Sequence, residues 1–496
     1  MTHKICAAKI HLDLEVGITL LRRPLSNIHR DLRLITKMCS YSQLFRALTM
    51  ATLIVISLTA CSPQSAVPES SQRQGGAGSA PPKPPSAAIA PTATPLPPPK
   101  HVIGYYPAGA VASQNYYVKD IRESGSAKVL THINYAFSNI SSDLKCVLGD
   151  PVADIQKAHT AANSVDGVAD DEAAATLKGN LNQLRKLKTQ FPNLKIMISV
   201  GGWDWSDKFS DVALTAESRK KFVESCVDLY IKGFVGEGIS AAGVFDGIDI
   251  DWEFPGVEGA SKNYRAQDTQ NFTALLAEFR EQLNALTTTT QKSYWLSIAA
   301  PATQEKIKKI EINKIHNYLD YISVMSYDFH GTWDNYTNFH SSLYGSSANP
   351  VYSYQTWTDS AIQTYLNGGV PVKKMVMGVA FFGRGWQGVG PTNNGLWQPA
   401  QAAAPGSHGD GTSSYRALKA LRETDAQYEN FRDDVTQGAW LYNKTAGIFW
   451  GYDDPQAIGR NMNYVLSRDL GGVMIWELSA DAVQGDLVKA IAAGLR

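Results

Sequence analysis

The chain has 496 residues, and its 46 basic side chains are balanced by 46 acidic ones. A formal net charge of zero argues against a protein that holds nucleic acid through bulk electrostatics, because such proteins carry a basic surplus. Five cysteines are too few for a disulfide scaffold, and no Cys/His cluster has zinc-site spacing, so no metal is expected. An apolar content of 44% is ordinary for a chain that can bury a large core.

The first hundred residues lack the pattern of a folded domain. The apolar run LTMATLIVISLTA at 48–60 has the length of a signal-peptide core rather than of a membrane span. We therefore expect a signal peptide over 38–60, with translation starting at Met38 and with 1–37 as a mis-called upstream start. Residues 62–100 are rich in Pro, Ala and Ser, which predicts a semi-extended linker.

The end of the apolar run reads Leu58-Thr59-Ala60-Cys61 and resembles a bacterial lipobox, in which the cysteine becomes the lipidated first residue. Leu58 is a poor −3 residue for an ordinary signal-peptidase cut. We expect an extracytoplasmic protein, either secreted or held at an outer membrane through lipidated Cys61. An ordinary signal peptide followed by a chance cysteine is the alternative.

Residues 101–496 alternate short apolar, β-branched runs with amphipathic segments. The predicted strands are His101–Tyr106, Leu130–Ser138, Leu194–Val200, Val244–Asp251, Tyr294–Ala300, Tyr321–Tyr327, Lys374–Phe381 and Gly472–Leu478. The predicted helices are Ala174–Gln190, Ala216–Lys232, Gln267–Leu286, Tyr354–Asn367 and Pro455–Ser467. This α/β alternation implies right-handed crossovers and a parallel sheet, and eight strands are the number that closes a (β/α)8 TIM barrel. A doubly wound open sheet is the alternative, but no GxGxxG turn follows the first strand.

A long interval, 382–471, separates the last two predicted strands. It contains a helix pattern at Ser413–Arg422 and strand-like runs at Ala439–Tyr442 and Ile448–Tyr452. We therefore predict an α+β subdomain, over 385–447, inserted between barrel strands seven and eight. Insertions after a barrel strand lie on the C-terminal face, where the active sites of such barrels lie, so this one would raise a wall of the cleft.

The fourth predicted strand ends in a row of acids, since residues 246–253 read DGIDIDWE. Side chains alternate faces along a strand, so Asp249, Asp251 and Glu253 would all point into the barrel. Burial and mutual repulsion should raise the pKa of at least one of them. Glu253 lies nearest the C-terminal mouth, and a carboxyl kept protonated there is a general acid. Asp246 has the other parity, which predicts a structural role at the start of the strand. For the three inward-pointing acids, the alternative is that they are buried and merely hydrogen-bond one another.

DGIDIDWE resembles the DxxDxDxE signature of glycoside hydrolase family 18, the chitinases. Further likenesses follow in the family's order: SVGGW (199–203) is similar to its third-strand motif, MSYD (325–328) to its sixth-strand motif, GRGW (383–386) to the segment that opens the chitinase insertion domain, and Trp476 to the tryptophan beneath the cleavage site. Together these motifs cover nearly all of 101–496. The likeness is greatest to bacterial chitinases that carry the insertion domain.

The resemblance implies substrate-assisted hydrolysis of β-1,4-linked N-acetylglucosamine chains with retention of configuration. Glu253 would protonate the glycosidic oxygen and later activate water, while the sugar's own 2-acetamido carbonyl attacks the anomeric carbon to give an oxazolinium ion. Asp251 would hold the acetamido N–H, and Asp249 would share a proton with Asp251. Tyr327 would hydrogen-bond the acetamido oxygen. No metal or organic cofactor is implied.

A pyranose ring presents an apolar face, which an indole can bury without any charge. Trp476 and Trp203 are the first candidates for such stacking, with a place in the barrel core as the alternative. The remaining candidates for substrate binding match family positions at strand ends: Tyr105, Phe137, Ser199, Met325, Asp328 and Arg384.

Some chemically capable residues receive no role at this stage. A lone histidine is more often a packing or surface residue than a catalyst, and neither His330 nor His340 is assigned one. Cys146 and Cys226 either pair in an oxidising compartment or remain two buried thiols. One basic run is interpreted as the solvated face of a helix: Lys306, Lys308 and Lys309.

The expected partners are chitin and chito-oligosaccharides, with no nucleic acid and with no membrane contact except the N-terminal anchor; a monomer is expected. One alternative is a family relative that cleaves N-glycan cores or peptidoglycan. The inserted subdomain disfavours it, because a deep groove suits a long linear polymer. The other alternative is an inactive chitin-binding lectin. Such relatives typically lack the acid, whereas Glu253 is present together with Asp251 and Tyr327.

Overall fold

The computed structural model describes residues 100–350, 352 and 356–496. The predicted upstream start (1–37), signal peptide (38–60), lipidated Cys61 and linker (62–100) lie outside these residues, except for Lys100. Within the described range, no helix is both long enough and apolar enough to cross a membrane.

In this part of the chain, eight parallel strands close into a barrel. They are β1 (His101–Pro107), β2 (His132–Ile140), β3 (Lys195–Gly201), β4 (Gly247–Asp251), β5 (Trp295–Ala300), β6 (Tyr321–Val324), β7 (Met375–Ala380) and β8 (Gly472–Trp476). Each strand pairs with its neighbours in chain order, and β8 returns to pair with β1. The predicted (β/α)8 barrel is therefore confirmed, and the open doubly wound sheet is excluded.

Helices follow the strands; most of them cover the outside of the barrel, and one short helix borders the cavity at the C-terminal mouth. They are Ala110–Gln114, Val118–Glu123, Gly179–Gln190, Phe209–Val212, Ala216–Cys226, Asp268–Thr290, Gln304–Ile307, Ile312–Ile315, Thr358–Asn367, Pro455–Ser467 and Asp486–Gly494. The helix predicted from Ala174 begins only at Gly179. Gly179 has a φ of +62°, a left-handed conformation that interrupts any right-handed helix entering from upstream.

The two faces of β4 lie in different surroundings, as the alternation of its side chains requires. Ile248 and Ile250 belong to the large apolar core between the strands and the helices. Asp249 and Asp251 lie on the other face, where both contact Tyr105, a member of the small cluster that fills the barrel interior. The strand thus places its acids inside the barrel and its aliphatic side chains outside it.

After β7 the chain forms a second, antiparallel sheet. Its strands are Phe382–Gln387, Ala402–Ala403, Thr412–Ser414, Tyr428–Arg432, Ala439–Asn443 and Ile448–Tyr452, and its helix is Tyr415–Thr424. The sheet extends beyond the predicted range 385–447, because Gly383 pairs with Tyr452. Sequence reasoning missed the first of these strands, since FGRGWQ lacks the alternation of a half-buried strand.

Cys146 and Cys226 form a disulfide bond, which resolves the choice that the sequence left open. Cys146 lies on a two-residue strand, Cys146–Val147, that pairs antiparallel with β2, and Cys226 ends the helix Ala216–Cys226. The two cysteines are 80 residues apart in sequence. Disulfides persist in oxidising compartments, so this bond favours an extracytoplasmic location.

Replacing both cysteines by serine is expected to lower the free energy of unfolding by about 2–5 kcal/mol, because the bond restricts a long loop in the unfolded chain. Denaturant unfolding of the double variant and of the wild type measures this difference. Wild type treated with a reductant serves as the control and should match the variant. If unreduced, unfolded wild type showed two more titratable thiols than the double variant, the assignment of the bond would be contradicted.

Candidate active site

The C-terminal ends of the barrel strands open into a cavity of about 1980 Å³. This volume exceeds the roughly 300–1000 Å³ of an ordinary small-molecule pocket, so the cavity has room for several linked sugar rings. Most of the residues that the sequence singled out line it: Tyr105, Phe137, Trp203, Asp251, Glu253, Met325, Tyr327, Asp328, Arg384 and Trp476.

Asp249 lies beneath the cavity and is fully buried. Four side chains donate hydrogen bonds to its carboxylate. The donors are Tyr105 Oη at 2.5 Å, Asn134 Nδ2 at 2.9 Å, Ser199 Oγ at 2.8 Å and Ser297 Oγ at 2.6 Å. These donors, which come from four different barrel strands, satisfy both carboxylate oxygens and fix the side chain in one orientation.

Ser199 was predicted to bind substrate, and the structure places it elsewhere. It is fully buried, pairs in register with Asp249 across β3 and β4, and uses its hydroxyl to bond that carboxylate. Parity along β3 gives the face on which Ser199 lies but not its distance from the cavity. The sequence therefore could not distinguish a residue that binds substrate from one that holds Asp249. Its observed role is to hold Asp249.

Asp251 lies one step nearer the mouth than Asp249 and forms part of the cavity floor. Burial raises the pKa of Asp251 well above its usual range, and the charge of Asp249, a hydrogen bond with Asp249 and the charge of Glu253 raise it further. The Tyr105 hydroxyl lies 3.4 Å from Asp251 Oδ1. A hydrogen bond between two carboxyl groups requires a proton on one of them. That Asp249 and Asp251 share this proton, as the family resemblance implies, stays a prediction.

Glu253 lies just past the end of β4 and lines the cavity. Burial raises its pKa to about 7; Lys306 lowers it, and the negative charges of Asp328 and Asp204 raise it. Its backbone N–H donates to Ser206 Oγ at 2.9 Å, which fixes the chain beyond the strand end. A carboxyl in these surroundings is protonated near neutral pH and can give its proton to a leaving group.

Met325 and Tyr327 both line the cavity although β6 ends at Val324. Burial raises the pKa of Tyr327 well above its usual value, and the nearby carboxyl groups, first Glu253, raise it further. Its phenol therefore stays neutral and keeps its O–H as a donor. In the structure the hydroxyl contacts Met474 Sδ at 3.7 Å, a weak partner that a better acceptor would displace.

Trp476, at the end of β8, stacks on Phe137 with ring centroids 5.8 Å apart and an interplanar angle of 27°. Its centroid lies 5.3 Å from that of Tyr105. Phe137 in turn requires glycine at 202, because a Cβ there would lie 2.7 Å from the Phe137 ring. Trp203, the next residue, is 51% exposed at the rim of the cavity. The floor is thus an aromatic surface on which an apolar sugar face can lie.

Asp328 and Arg384, both predicted to bind substrate, are bound to each other at the cavity wall. Arg384 Nε and Nη2 each donate to the Asp328 carboxylate at 2.8 Å. His340 Nδ1 lies 3.7 Å from the same carboxylate. Burial alone would raise the pKa of Asp328, but the interactions with His340 and Arg384 lower it to about 2. His340 therefore helps to keep Asp328 ionised, a role that the sequence did not reveal.

The lysine run was interpreted as a solvated helix face; Lys308 is exposed, but the interpretation did not predict that the run lines the cavity. Lys306, Lys308 and Lys309 all line the cavity, and Lys306 Nζ lies 4.1 Å from the centroid of the Phe254 ring. The helix that carries Lys306 is only four residues long, Gln304–Ile307, so its periodicity could not reveal which face is solvated. Sequence reasoning also missed cavity-lining residues on loops, namely Asp204, Trp205, Phe254 and Trp333.

Buried carboxyl groups with raised pKa values, set beside an aromatic cleft at the C-terminal mouth of a (β/α)8 barrel, are typical of glycoside hydrolases. The sequence model of glycosyl hydrolases family 18 matches residues 101–481, and the chain belongs to that family.

The chain is similar to several chitinases. Chitinase A1 of Niallia circulans is 36% identical over 418 residues, which cover 77% of this chain and 56% of the relative. Chitinase C of Streptomyces lividans is 35% identical over 389 residues, covering 77% of this chain and 58% of the relative. The chain thus spans less than two thirds of these relatives. The solved catalytic domain of chitinase B from Arthrobacter TAD20 is 38% identical with a TM-score of 0.75, covering 80% of this chain and 95% of that one.

Proposed function

We propose that this protein is a chitinase that hydrolyses β-1,4-linked N-acetylglucosamine chains by a substrate-assisted retaining mechanism. The observation that carries the proposal is the raised pKa of Glu253, about 7, at the edge of an aromatic cleft and beside the Asp249–Asp251 pair. The similarity to chitinases supports the choice of substrate. The Group IV chitinase of Ostrinia furnacalis, 25% identical with a TM-score of 0.67, has been solved in complex with allosamidin.

In the proposed first step, Glu253 gives its proton to the glycosidic oxygen as the bond to the anomeric carbon breaks. No protein carboxylate needs to attack, because the 2-acetamido carbonyl of the same sugar is the nucleophile. The resulting oxazolinium ion is positively charged. Glu253, now a carboxylate, then takes a proton from water as that water attacks the anomeric carbon and the bond from this carbon to the acetamido oxygen breaks. The acetamido group is restored, and two displacements leave the configuration unchanged.

Asp251 and Tyr327 orient the acetamido group in this scheme. Asp251 accepts its N–H, and the proton shared with Asp249 allows negative charge to develop on Asp251 as the oxazolinium forms. Asp249 stays in place throughout because four donors hold it. Tyr327, whose phenol is neutral, donates to the acetamido oxygen and sets its direction of attack. Trp476 lies under the sugar ring.

The activity should fall on the alkaline side of neutral pH. Glu253 must carry a proton to act as an acid, and its pKa of about 7 means that this form is lost as the pH rises through about 7. A profile of kcat/KM against pH measures this limb. Because Lys306 lowers the Glu253 pKa, Lys306→Gln should move the limb to higher pH, while the exposed Lys292→Gln should leave it in place. An alkaline limb at the pKa of an ordinary carboxyl would contradict the assignment.

A substrate panel separates the proposal from its alternatives. Chitohexaose, peptidoglycan and an N-linked glycoprotein are incubated with the wild-type protein, and the products are measured by mass spectrometry. The proposal expects cleavage of chitohexaose alone. Cleavage of the glycoprotein or of peptidoglycan instead would favour the alternative hydrolases, and tight binding of chitohexaose without turnover would favour a lectin.

We also propose that the protein acts outside the cytoplasm, and the Cys146–Cys226 disulfide supports this. Anchoring through a lipidated Cys61 remains a prediction from the sequence. The mass of the mature N-terminus, measured on protein from a bacterial host that processes lipoproteins, tests it. A diacylated cysteine as the first residue is expected, and an intact Met1 would refute both the predicted start and the anchor.

A further inference from the structure

Three lysines form one wall of the cleft, beside the residues that follow Glu253. We call Lys306, Lys308 and Lys309 the lysine wall. Lys306 lies over the ring of Phe254, the residue after Glu253, and Lys309 packs towards Gly256, where an added Cβ would lie 3.8 Å from its Cδ. The wall therefore borders the part of the cleft next to the proposed acid rather than a remote surface.

Within the described residues, none of these three ammonium groups forms an ion pair or a hydrogen bond. Most other lysines near acids in this structure are paired, for example Lys188 with Asp246 at 2.7 Å and Lys314 with Glu311 at 2.7 Å. Lys306 makes only a contact with the ring of Phe254, which is buried, while Lys306 itself is half-buried at the cavity edge. The wall thus presents unneutralised donors to whatever occupies the cleft.

The acids around the wall do not cancel its charge. Asp328 is neutralised by the bidentate bond from Arg384. Glu253 is uncharged when it is ready to act as an acid, because its pKa is raised to about 7. Asp204 lines the cavity, and Glu305 is exposed on the same short helix as Lys306. Asp204 and Glu305 are two acids against three lysines, which leaves a surplus of positive charge on this side of the cleft.

We propose that the lysine wall makes the adjoining part of the cleft select uncharged, N-acetylated sugar units over cationic, N-deacetylated ones. This inference rests on the proposed function and specifies its substrate class. An acetamido group or a hydroxyl accepts hydrogen bonds from the ammonium groups. A glucosamine unit there brings a second ammonium charge into a partly desolvated space, where like charges repel more strongly than in water.

The test measures binding, so that it does not depend on turnover. Titration calorimetry in the Glu253→Gln background gives the Kd of chitohexaose and of hexamers that carry a single glucosamine at a defined position. The penalty at each position is the Kd of the hexamer with glucosamine at that position divided by the Kd of chitohexaose. In a variant with Lys306→Gln, Lys308→Gln and Lys309→Gln added, the largest penalty outside the position that Asp251 and Tyr327 bind should fall by about tenfold. An ionic strength of about 1 M should reduce the same penalty in the parent protein.

Two further variants keep the test decisive. Replacing three exposed lysines that do not line the cavity, Lys128, Lys157 and Lys292, by glutamine removes the same net charge and should leave every penalty unchanged. Lys308→Glu alters only an exposed side chain of the wall, so it preserves the fold, and it should lower the penalty on its own. Each wall variant is expected to lower the penalty, whereas the control variant is not.

The inference would be overturned if the penalties in both wall variants stayed within about twofold of those in the parent protein, or if they did not respond to salt. Neither result would bear on chitin hydrolysis. Conversely, wild-type protein that fails to cleave chitohexaose would refute the proposed function, and the Kd ratios would still decide the role of the wall. An absence of measurable hexamer binding would overturn both.

Discussion

Glu253→Gln is expected to lower kcat on chito-oligosaccharides by at least about a thousandfold, within the range that a positioned proton donor supplies. Glutamine keeps the size of the side chain and its place in the cleft but has no proton to give at any pH. Substrate binding should survive, so KM or the Kd of chitohexaose should change little. The alkaline limb assigned to Glu253 should also disappear from the residual activity.

The control for this variant is Glu258→Gln. Glu258 lies on the same loop beyond β4, is exposed, does not line the cavity and forms only a loose contact of 3.9 Å with Lys262. Its replacement should leave kcat near the wild-type value. If Glu253→Gln retained more than about a tenth of the wild-type kcat while remaining folded, another group would have to be the acid.

Asp251→Asn is expected to lower kcat by about a hundredfold to a thousandfold, the usual cost of removing one group that stabilises charge in a transition state. An asparagine fits the same buried space, but it cannot become negative as the oxazolinium forms. It also removes the ionisable group whose pKa is raised by burial, by the charge of Asp249 and by a hydrogen bond with Asp249. Steady-state kinetics on chitohexaose measure the loss, and the effect should fall on kcat rather than on KM.

Asp246→Asn is the matched control, because it makes the same change on the same chain segment. Asp246 accepts the backbone N–H of Ile196 at 2.9 Å and forms an ion pair with Lys188 at 2.7 Å, just before β4 begins. Its loss should lower the melting temperature and leave kcat nearly unchanged. An Asp251→Asn variant with kcat within about threefold of wild type would remove Asp251 from the mechanism.

Strand parity predicted the central acids well, because β4 is buried on both faces and its side chains have only two directions available. It predicted Asp249 and Asp251 inside the barrel and Ile248 and Ile250 outside it, as observed. Ser199 was predicted to bind substrate because it matches a family position at a strand end. Neither that match nor strand parity gives its depth, and Ser199 lies beneath the cavity.

Residues beyond the strand ends were harder to predict. Trp333 is 59% exposed and lines the cavity, but it lies on the long loop after β6, where no periodic pattern indicates a direction. Lys306 lies on a single helical turn, so the sequence alone does not distinguish it from a solvated lysine. Its contact with Phe254 exists only in the folded chain. The pairing of Arg384 with Asp328 joins two segments 56 residues apart, a contact that only the folded chain reveals.

The central step of the proposed mechanism is attack on the anomeric carbon by the sugar's own acetamido group instead of by a water molecule. The most direct measurement follows the anomeric protons by NMR during the first minutes of chitohexaose hydrolysis, before the products mutarotate. The account predicts that new reducing ends appear first as the β-anomer. An initial α-anomer would mean a single displacement by water and would contradict it.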